Sequence, residues 1–505
     1  MTNAQSYTIR NVNAFNPRHF DAITENQNVI GYYSLNTSAV PGTKNINYEL
    51  CILDSNLNLL HKGTFQKSKN TRLLESAWNG TSFCFSFLDP KQNSLEYQLL
   101  DASGRLTGTY LKSLNKLELN YYTEMLPEEM EAKDNNLIAI DSNLFVRYGI
   151  EFGEGQSFQA EAFDNSGKRV WEYTSVTTYN SSFETFLPIY ADKNILVLFL
   201  TEYESLESEN VKFSTLILNS KTGAFKVKLP ILFNGKKLIP LGCAPNTGKD
   251  SYFLYGNYFT SEKNIVTADP DGFFIHEMDV KGKFLKESFI SRVEDIEPRL
   301  NSLSHVEFKK NTKIYAHKMI KTLDGRVFVI GEAYRKKLNE KAVTNYLLSG
   351  PYHGTTKSLS KIVLNDLFVF ELDSLTHLTN ISRIEKDETD VHYSQKIGLY
   401  DSNLLGSIIK RQGKFDYRFL NQFASGAVFE CVFLNRENGK SDPNNYVLGK
   451  IKQTDSAPVV TSKLNVRNDA SLIEVRRAKQ GCALLLRYYR PTSKVVLELK
   501  NFEIQ

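Results

Sequence analysis

A repeat runs the whole length of this chain and limits what it can fold into. Eight times an apolar, β-rich run follows a polar turn that carries Asn, Asp or Gly: NVIGYYSL from Asn28, GTSFCFSFL from Gly80, NLFVRYGIEF from Asn143, KNILVLFLTEY from Lys193, DSYFLYGNYF from Asp250, GRVFVIGEAY from Gly325, GAVFECVFL from Gly426 and GCALLLRYY from Gly481. A second short strand-like run stands before each, as RLLESAW before Gly80 and LIEVRRA before Gly481. Two such runs joined by a tight polar turn read as a β-hairpin.

A second hairpin signal follows: an apolar run ending in Asp or Asn, a few turn residues, then another strand. It occurs at Asp54, Asp101, Asp164, Asn219, Asp279 and Asp373. Asp and Asn fit there because their side chains bond the backbone two residues on. Gly104, Gly167, Gly223 and Gly282 supply the positive φ that such turns need. Each site brings one carboxylate where Ca²⁺ takes roughly 6–8 oxygens, so these residues read as turn formers.

Two hairpins in succession make a four-stranded antiparallel unit of about 63 residues, the blade of a β-propeller. The expected fold is all-β: one propeller domain over residues 1–505, with eight blades, seven being the alternative. Blades are expected to start near Arg18, Thr71, Asp134, Phe183, Lys236, Thr312, Lys414 and Asp469. The last holds only three strands, and residues 6–13 are expected to supply its fourth, which leaves no open edge. Phe, Tyr and Trp reach 12% of the chain, a supply of large side chains for packing between blades. Regularity lapses in 121–136, where PEEMEAKDNN suggests helical turns, and in the polar connections 291–311 and 387–412. The sixth blade carries an insertion at 336–361. Long loops on a rigid scaffold often carry function.

Several classes of function are disfavoured. The 61 Lys and Arg against 57 Asp and Glu are interspersed, with no basic block for nucleic-acid phosphates. The longest strictly aliphatic or Phe run is ILVLFL, far short of the roughly 20 residues that cross a bilayer. Five scattered cysteines give no disulfide framework. No two of the eight histidines stand at zinc-site spacing, and neither a nucleophile elbow nor a P-loop occurs. No cofactor is expected. The oxygen-rich NRENGKSDPNN, 435–445, leaves room for a structural Ca²⁺ but reads first as a long hairpin turn.

In a propeller the first strand of each blade lines the channel, and ligands meet the face where it begins and the second strand ends. Residues expected to crowd that face are Arg18, His19, Arg72, Tyr315 and Arg418 from first strands, with Glu202, Tyr203, Arg335 and Arg490 near the ends of second strands. Arg with Tyr suits an anionic or carbohydrate ligand through bidentate bonds and ring stacking. Pairing with carboxylates of neighbouring blades is the competing role.

The terminal closure, the aromatic blades, the Asp-turn-Gly hairpins and the start at Thr2-Asn3-Ala4-Gln5, which has the form of a processed leader site, together resemble exported β-propeller proteins of Bacteroidetes-type bacteria, a family of unknown function. That resemblance implies a periplasmic or extracellular protein, with a cytoplasmic one as the alternative, and carries over no catalytic motif. The expectation is a monomeric, non-catalytic binder of protein, peptide or glycan, acting through the channel face or the inserted loop. The alternative is a hydrolase or lyase whose site is assembled from several blades at the central channel.

Overall fold

The second strand of each blade is a continuous apolar run rather than an alternating one, and its packing shows why. In SFCFSFLD, Phe83, Phe85 and Phe87 enter one core with Tyr33, Tyr48 and Ile52, while Cys84 and Leu88 enter another with Phe145 and Phe163. Val327 and Val329 likewise face Phe273 and Phe370, and Phe328 and Ile330 face Phe429 and Phe433. A strand sandwiched between two sheets has no solvent face to keep polar. Aromatic rings fill the gaps, with Tyr33 and Phe83 centroids 5.0 Å apart and those of Tyr48 and Phe87 5.2 Å apart.

The computed structural model describes residues 5–12, 15–16, 19–25, 28–39, 44–124, 136–153, 155–177, 182–205, 211–265, 267–303, 312–338, 360–392, 402–422, 429–436, 445–453, 460–467 and 469–502. Arg18, Asp134, the PEEMEAK stretch, 339–359 of the insertion and most of the 435–445 turn lie outside them. The chain divides into two compact units: Met1–Leu229 with Asp469–Gln505, and Pro230–Asn468.

The first unit contributes β1 (Ser6–Arg10) and a blade of β2 (Phe20–Glu25), β3 (Asn28–Ala39), β4 (Asn45–Asp54) and β5 (Leu59–Ser68). A second blade comprises β6 (Arg72–Trp78), β7 (Ser82–Asp89), β8 (Ser94–Asp101) and β9 (Leu106–Ser113). An eight-stranded sheet follows: β10 (Leu137–Asp141), β11 (Leu144–Phe152), β12 (Gln156–Asp164) and β13 (Arg169–Thr174), then β14 (Phe183–Ala191), β15 (Ile195–Tyr203), β16 (Val211–Asn219) and β17 (Phe225–Pro230). Its halves touch through a single parallel pair, Gln156 with Phe183, so it consists of two four-stranded blades.

The second unit holds β18 (Leu232–Phe233), β19 (Lys236–Pro245), β20 (Ser251–Thr260), β21 (Gly272–Asp279) and β22 (Phe284–Ser291) in one sheet. In the next are β23 (Lys313–Lys321), β24 (Val327–Leu338), β25 (Ser360–Leu372), β26 (Leu378–Ile384) and the short β27 (Thr389–Val391). Its last sheet is β28 (Tyr417–Gln422), β29 (Phe429–Arg436), β30 (Asn445–Gln453) and β31 (Val460–Arg467). Back in the first unit, β32 (Leu472–Arg477), β33 (Cys482–Tyr489) and β34 (Lys494–Asn501) form a sheet that β1 completes, with Ile9 opposite Val495. This all-β arrangement of four- and five-stranded antiparallel sheets, with the N-terminal strand joining the C-terminal ones, is that of a seven- or eight-bladed β-propeller.

The recurrent aspartates shape turns. Asp101 Oδ1 accepts from the backbone N–H of Ser103 at 2.8 Å and of Arg105 at 3.0 Å, and Asp54, Asp164, Asp279 and Asp373 repeat the pattern. Gly104 sits at φ 78° where the loop turns left-handed. The Ser103 hydroxyl, which also donates to Oδ1, and then these backbone N–H groups hold the Asp101 pKa well below its ordinary value. All five cysteines are free and buried.

Helices occupy three of the irregular connections. Lys116–Glu124 is opened by a capping box in which Asn115 Oδ1 accepts from Glu118 N at 3.0 Å and Glu118 Oε2 accepts from Asn115 N at 2.8 Å. A wide turn over Arg292–Ile296 runs into a helix at Glu297–Leu303. Ser402–Arg411 forms the third and packs Leu405 and Ile409 against Tyr315, Tyr334 and Phe415. No described helix is long and apolar enough to cross a membrane.

Candidate functional site

Of the nine residues expected to crowd one face, the structure describes eight, five in the first unit and three in the second. In the first unit His19 is buried just before β2, Arg72 opens β6 with its side chain exposed, and Arg490 is exposed in the turn after β33. Glu202, near the end of β15, is buried, and the neighbouring Tyr203 lies opposite Phe183. In the second unit Tyr315 is buried on β23 against Phe415, their rings 5.1 Å apart. Arg335 pairs with Glu388, and Arg418 Nη1 donates to Gly413 O at 2.7 Å.

Around Glu202 and Tyr315 the fold adds partners from other strands. Glu184, the second residue of β14 and 0% exposed, lies directly opposite Glu202. Ser175 and the Phe158 N–H donate to Glu184, and Lys228 Nζ reaches both carboxylates, at 3.5 Å and 4.0 Å. Two like charges set opposite each other repel, so the lysine and these donors are what make the pair tolerable.

Beyond Tyr315 lies a buried ionic cluster. Lys386 Nζ donates to Asp416 Oδ2 at 2.6 Å and lies 3.3 Å from Glu332 Oε1, with all three side chains at most 3% exposed. Thr389 and Asn435 add donors to the same Asp416 oxygen, at 2.9 Å and 3.1 Å. Glu332 accepts from the Tyr417 N–H at 3.1 Å. His317 stacks on Tyr417 at 4.5 Å, between Lys410 Nζ, 3.2 Å from its Nδ1, and Glu332 Oε2, 3.3 Å from its Nε2. An ammonium has only donors, so Nδ1 accepts and the imidazole proton sits on Nε2, facing the carboxylate. Burial raises the Asp416 carboxyl above its ordinary range; the Lys386 ammonium opposes the rise and the Glu332 charge adds to it. Burial, with Lys410 and Lys386 nearby, keeps His317 neutral, its pKa well below 6.5.

This has a pH consequence. As pH falls through about 6.5, unfolded chains protonate His317 while folded ones do not, so stability drops on acidification. Relative to His317→Gln, the native protein is expected to lose about 1.4 kcal/mol of unfolding free energy per pH unit below pH 6. Urea titrations of both proteins between pH 7 and 5 measure it; parallel profiles would show that folded His317 takes up the proton.

An open pocket lies elsewhere in the same unit, between the sheets of β20 and β23. Its enclosed space is about 30 Å³, and it reaches about 380 Å³ only when the open solvent at its mouth is counted. Pro270, Phe273, Ile296 and Ile314 give it apolar walls, and Arg292 and Lys313 bring charge. Lys313 is the first residue of β23 and Asn257, also in the lining, is near the end of β20. The pocket thus opens where a first strand begins and a second one ends, the end that the sequence singles out, but with residues that it does not. Among the described residues no group of three or more His, Cys, Asp or Glu side chains is placed to hold a metal ion.

Fold and pocket define a propeller-type chain of antiparallel blades with one small open cleft described at the strand ends. The chain belongs to a family of unknown function, DUF6770, whose model matches residues 1–503. Comparison with curated proteins gives no match. Among solved structures it is similar to the WD40 domain of SCAP from fission yeast, at 9% identity and TM-score 0.34 over 96% of this chain and 98% of that one. It is also similar to prolyl oligopeptidase B from Galerina marginata, at 8% identity and TM-score 0.41 over 93% and 55%. Quinohemoprotein alcohol dehydrogenase from Comamonas testosteroni gives 10% identity and TM-score 0.40 over 97% and 78%.

Proposed function

We propose that this protein is a non-catalytic binding propeller that receives part of a protein, peptide or glycan in the pocket walled by Phe273, Ile296 and Ile314. The observation that carries this reading is the pocket itself: apolar walls beside cations that already have carboxylate partners. Such a site offers complementarity and orientation but no unengaged acid or base. Methyl NMR of the isoleucine-labelled protein tests it with blocked dipeptides and monosaccharides as probes. At least one probe should shift the Ile296 and Ile314 signals saturably, with a dissociation constant near 1 mM (about 4 kcal/mol), and Ile314→Asp should abolish the shift. Silence from every probe would overturn the reading.

The facing carboxylates of Glu184 and Glu202 favour a second reading, hydrolysis, because two carboxyl groups in proximity are the machinery of glycosidases. Turnover of nitrophenyl glycosides that disappears in a folded Glu202→Gln variant would establish it in place of the first.

A further inference from the structure

Lys313 is an unusual wall for a small pocket. Its side chain is 4% exposed, and a lysine buried to that degree needs an anion beside it. The anion is Asp269, 3.1 Å from Lys313 Nζ, and Asp269 is itself 45% exposed. Its other oxygen stands 4.0 Å from Arg292 Nη1, while Arg292 Nε is bonded to Glu297 at 2.8 Å. A fixed, buried cation at the wall is therefore satisfied by a carboxylate that reaches it from solvent, one residue before Pro270, which lines the pocket. We infer that Asp269 occupies the position of a ligand carboxylate, and that the pocket takes a monoanionic carboxylate borne on a short apolar group. This inference rests on the binding reading above.

Charge fixes the class. Lys313 and Arg292 face the carboxylates of Asp269 and Glu297, and exchanging Asp269 for one external carboxylate leaves the charge around the two cations unchanged. A dianionic phosphate would add a charge beside Glu297, which Arg292 holds in place. A neutral ligand would have to leave Asp269 where it is. The apolar part of the ligand would lie against Phe273, Ile296 and Ile314. A peptide C-terminus ending in an aliphatic residue and a free short-chain acid both have this chemistry, and C-terminal carboxylate capture is a recurrent recognition mode.

The test uses the full chain and four probes: N-acetyl-alanyl-leucine, its C-terminal amide, 4-methylpentanoate and 4-methylpentanamide. Both acids should shift the Ile296 and Ile314 methyl signals and bind at least tenfold more tightly than their amides. Asp269→Asn should tighten the acids about tenfold by removing the internal competitor, and Lys313→Met should erase the acid preference. Tighter binding of the peptide acid than of 4-methylpentanoate assigns the source as a chain terminus, and the reverse order assigns a free acid. If Asp269→Asn does not fold, raising NaCl from 0.05 to 0.5 M in the native protein should weaken the acids and leave the amides unchanged. Acids and amides shifting the methyls equally would overturn the carboxylate inference and leave the pocket reading standing. No shift with any probe would remove both.

Discussion

Ile9→Asp should lower the unfolding free energy by about 3–5 kcal/mol, a third or more of what a domain commonly has. Ile9 is 3% exposed in β1 and packs among Phe20, Tyr32, Leu484 and Leu497. A carboxylate there has no cation in the cluster to meet, and its neutral form still forfeits the apolar burial. The strand is tied in at both ends, by Leu499 N to Gln5 O at 3.0 Å and by Val12 N to Ser493 O at 2.9 Å. Loss of the strand would expose the edge of β34, whose Val495 and Leu497 are fully buried. Urea denaturation followed by fluorescence measures the effect. Thr8→Asp, one residue away with its side chain exposed, is the control and should stay within about 0.5 kcal/mol. An Ile9→Asp protein as stable as Thr8→Asp would mean that the closing strand contributes little to holding the sheet of C-terminal strands.

The closing strand was legible in the sequence because three strands at the C-terminus lacked a partner and SYTIRNVN could supply one. Blade starts were legible for a similar reason: a strand buried on both faces leaves a solid apolar run, and the turns between runs need Asp and Gly. First strands begin at Phe20, Arg72, Leu137, Phe183, Lys236, Lys313, Tyr417 and Leu472, within a few residues of expectation. The helix at Ser402–Arg411 was hidden by its shortness and by Gly406, which weakens helix propensity. Gly406 is needed because a Cβ there would stand 2.4 Å from Tyr334 Oη. Pocket residues Arg292 and Ile296 were missed because they lie in a stretch that reads as polar connection, 291–311, and face Lys313 and Ile314 only after folding. Nor does any linear spacing mark the ionic cluster, whose charged members come from β23, β24, the segment after β26, the helix at Ser402–Arg411 and the residue before β28. One sign was present: Glu332 interrupts the apolar run VFVIGEAY, and an ionisable residue inside a doubly buried strand requires a partner.

Lys386→Met tests that requirement and should cost about 3–5 kcal/mol at pH 7, because Glu332 and Asp416 are left as neighbouring buried carboxylates without their shared cation. One of them must then take a proton. The sign of the pH dependence follows. Asp416 is already raised above its ordinary carboxyl range, and removing Lys386 takes away the largest influence that lowers it. A folded-state carboxyl raised above its unfolded value binds its proton first as pH falls, so folding is penalised at neutral pH and the penalty fades on acidification. The deficit of Lys386→Met relative to native protein should therefore shrink between pH 7 and 4, opposite in direction to the effect of His317. Lys361→Met is the comparison, since Lys361 and Asp390 form a partly exposed pair at 2.6 Å whose loss should cost less than about 1 kcal/mol. Double replacement, Lys386→Met with Asp416→Asn, should recover part of the loss by removing the stranded charge along with the cation. A deficit independent of pH would show that Lys386 serves through its methylene packing rather than its charge.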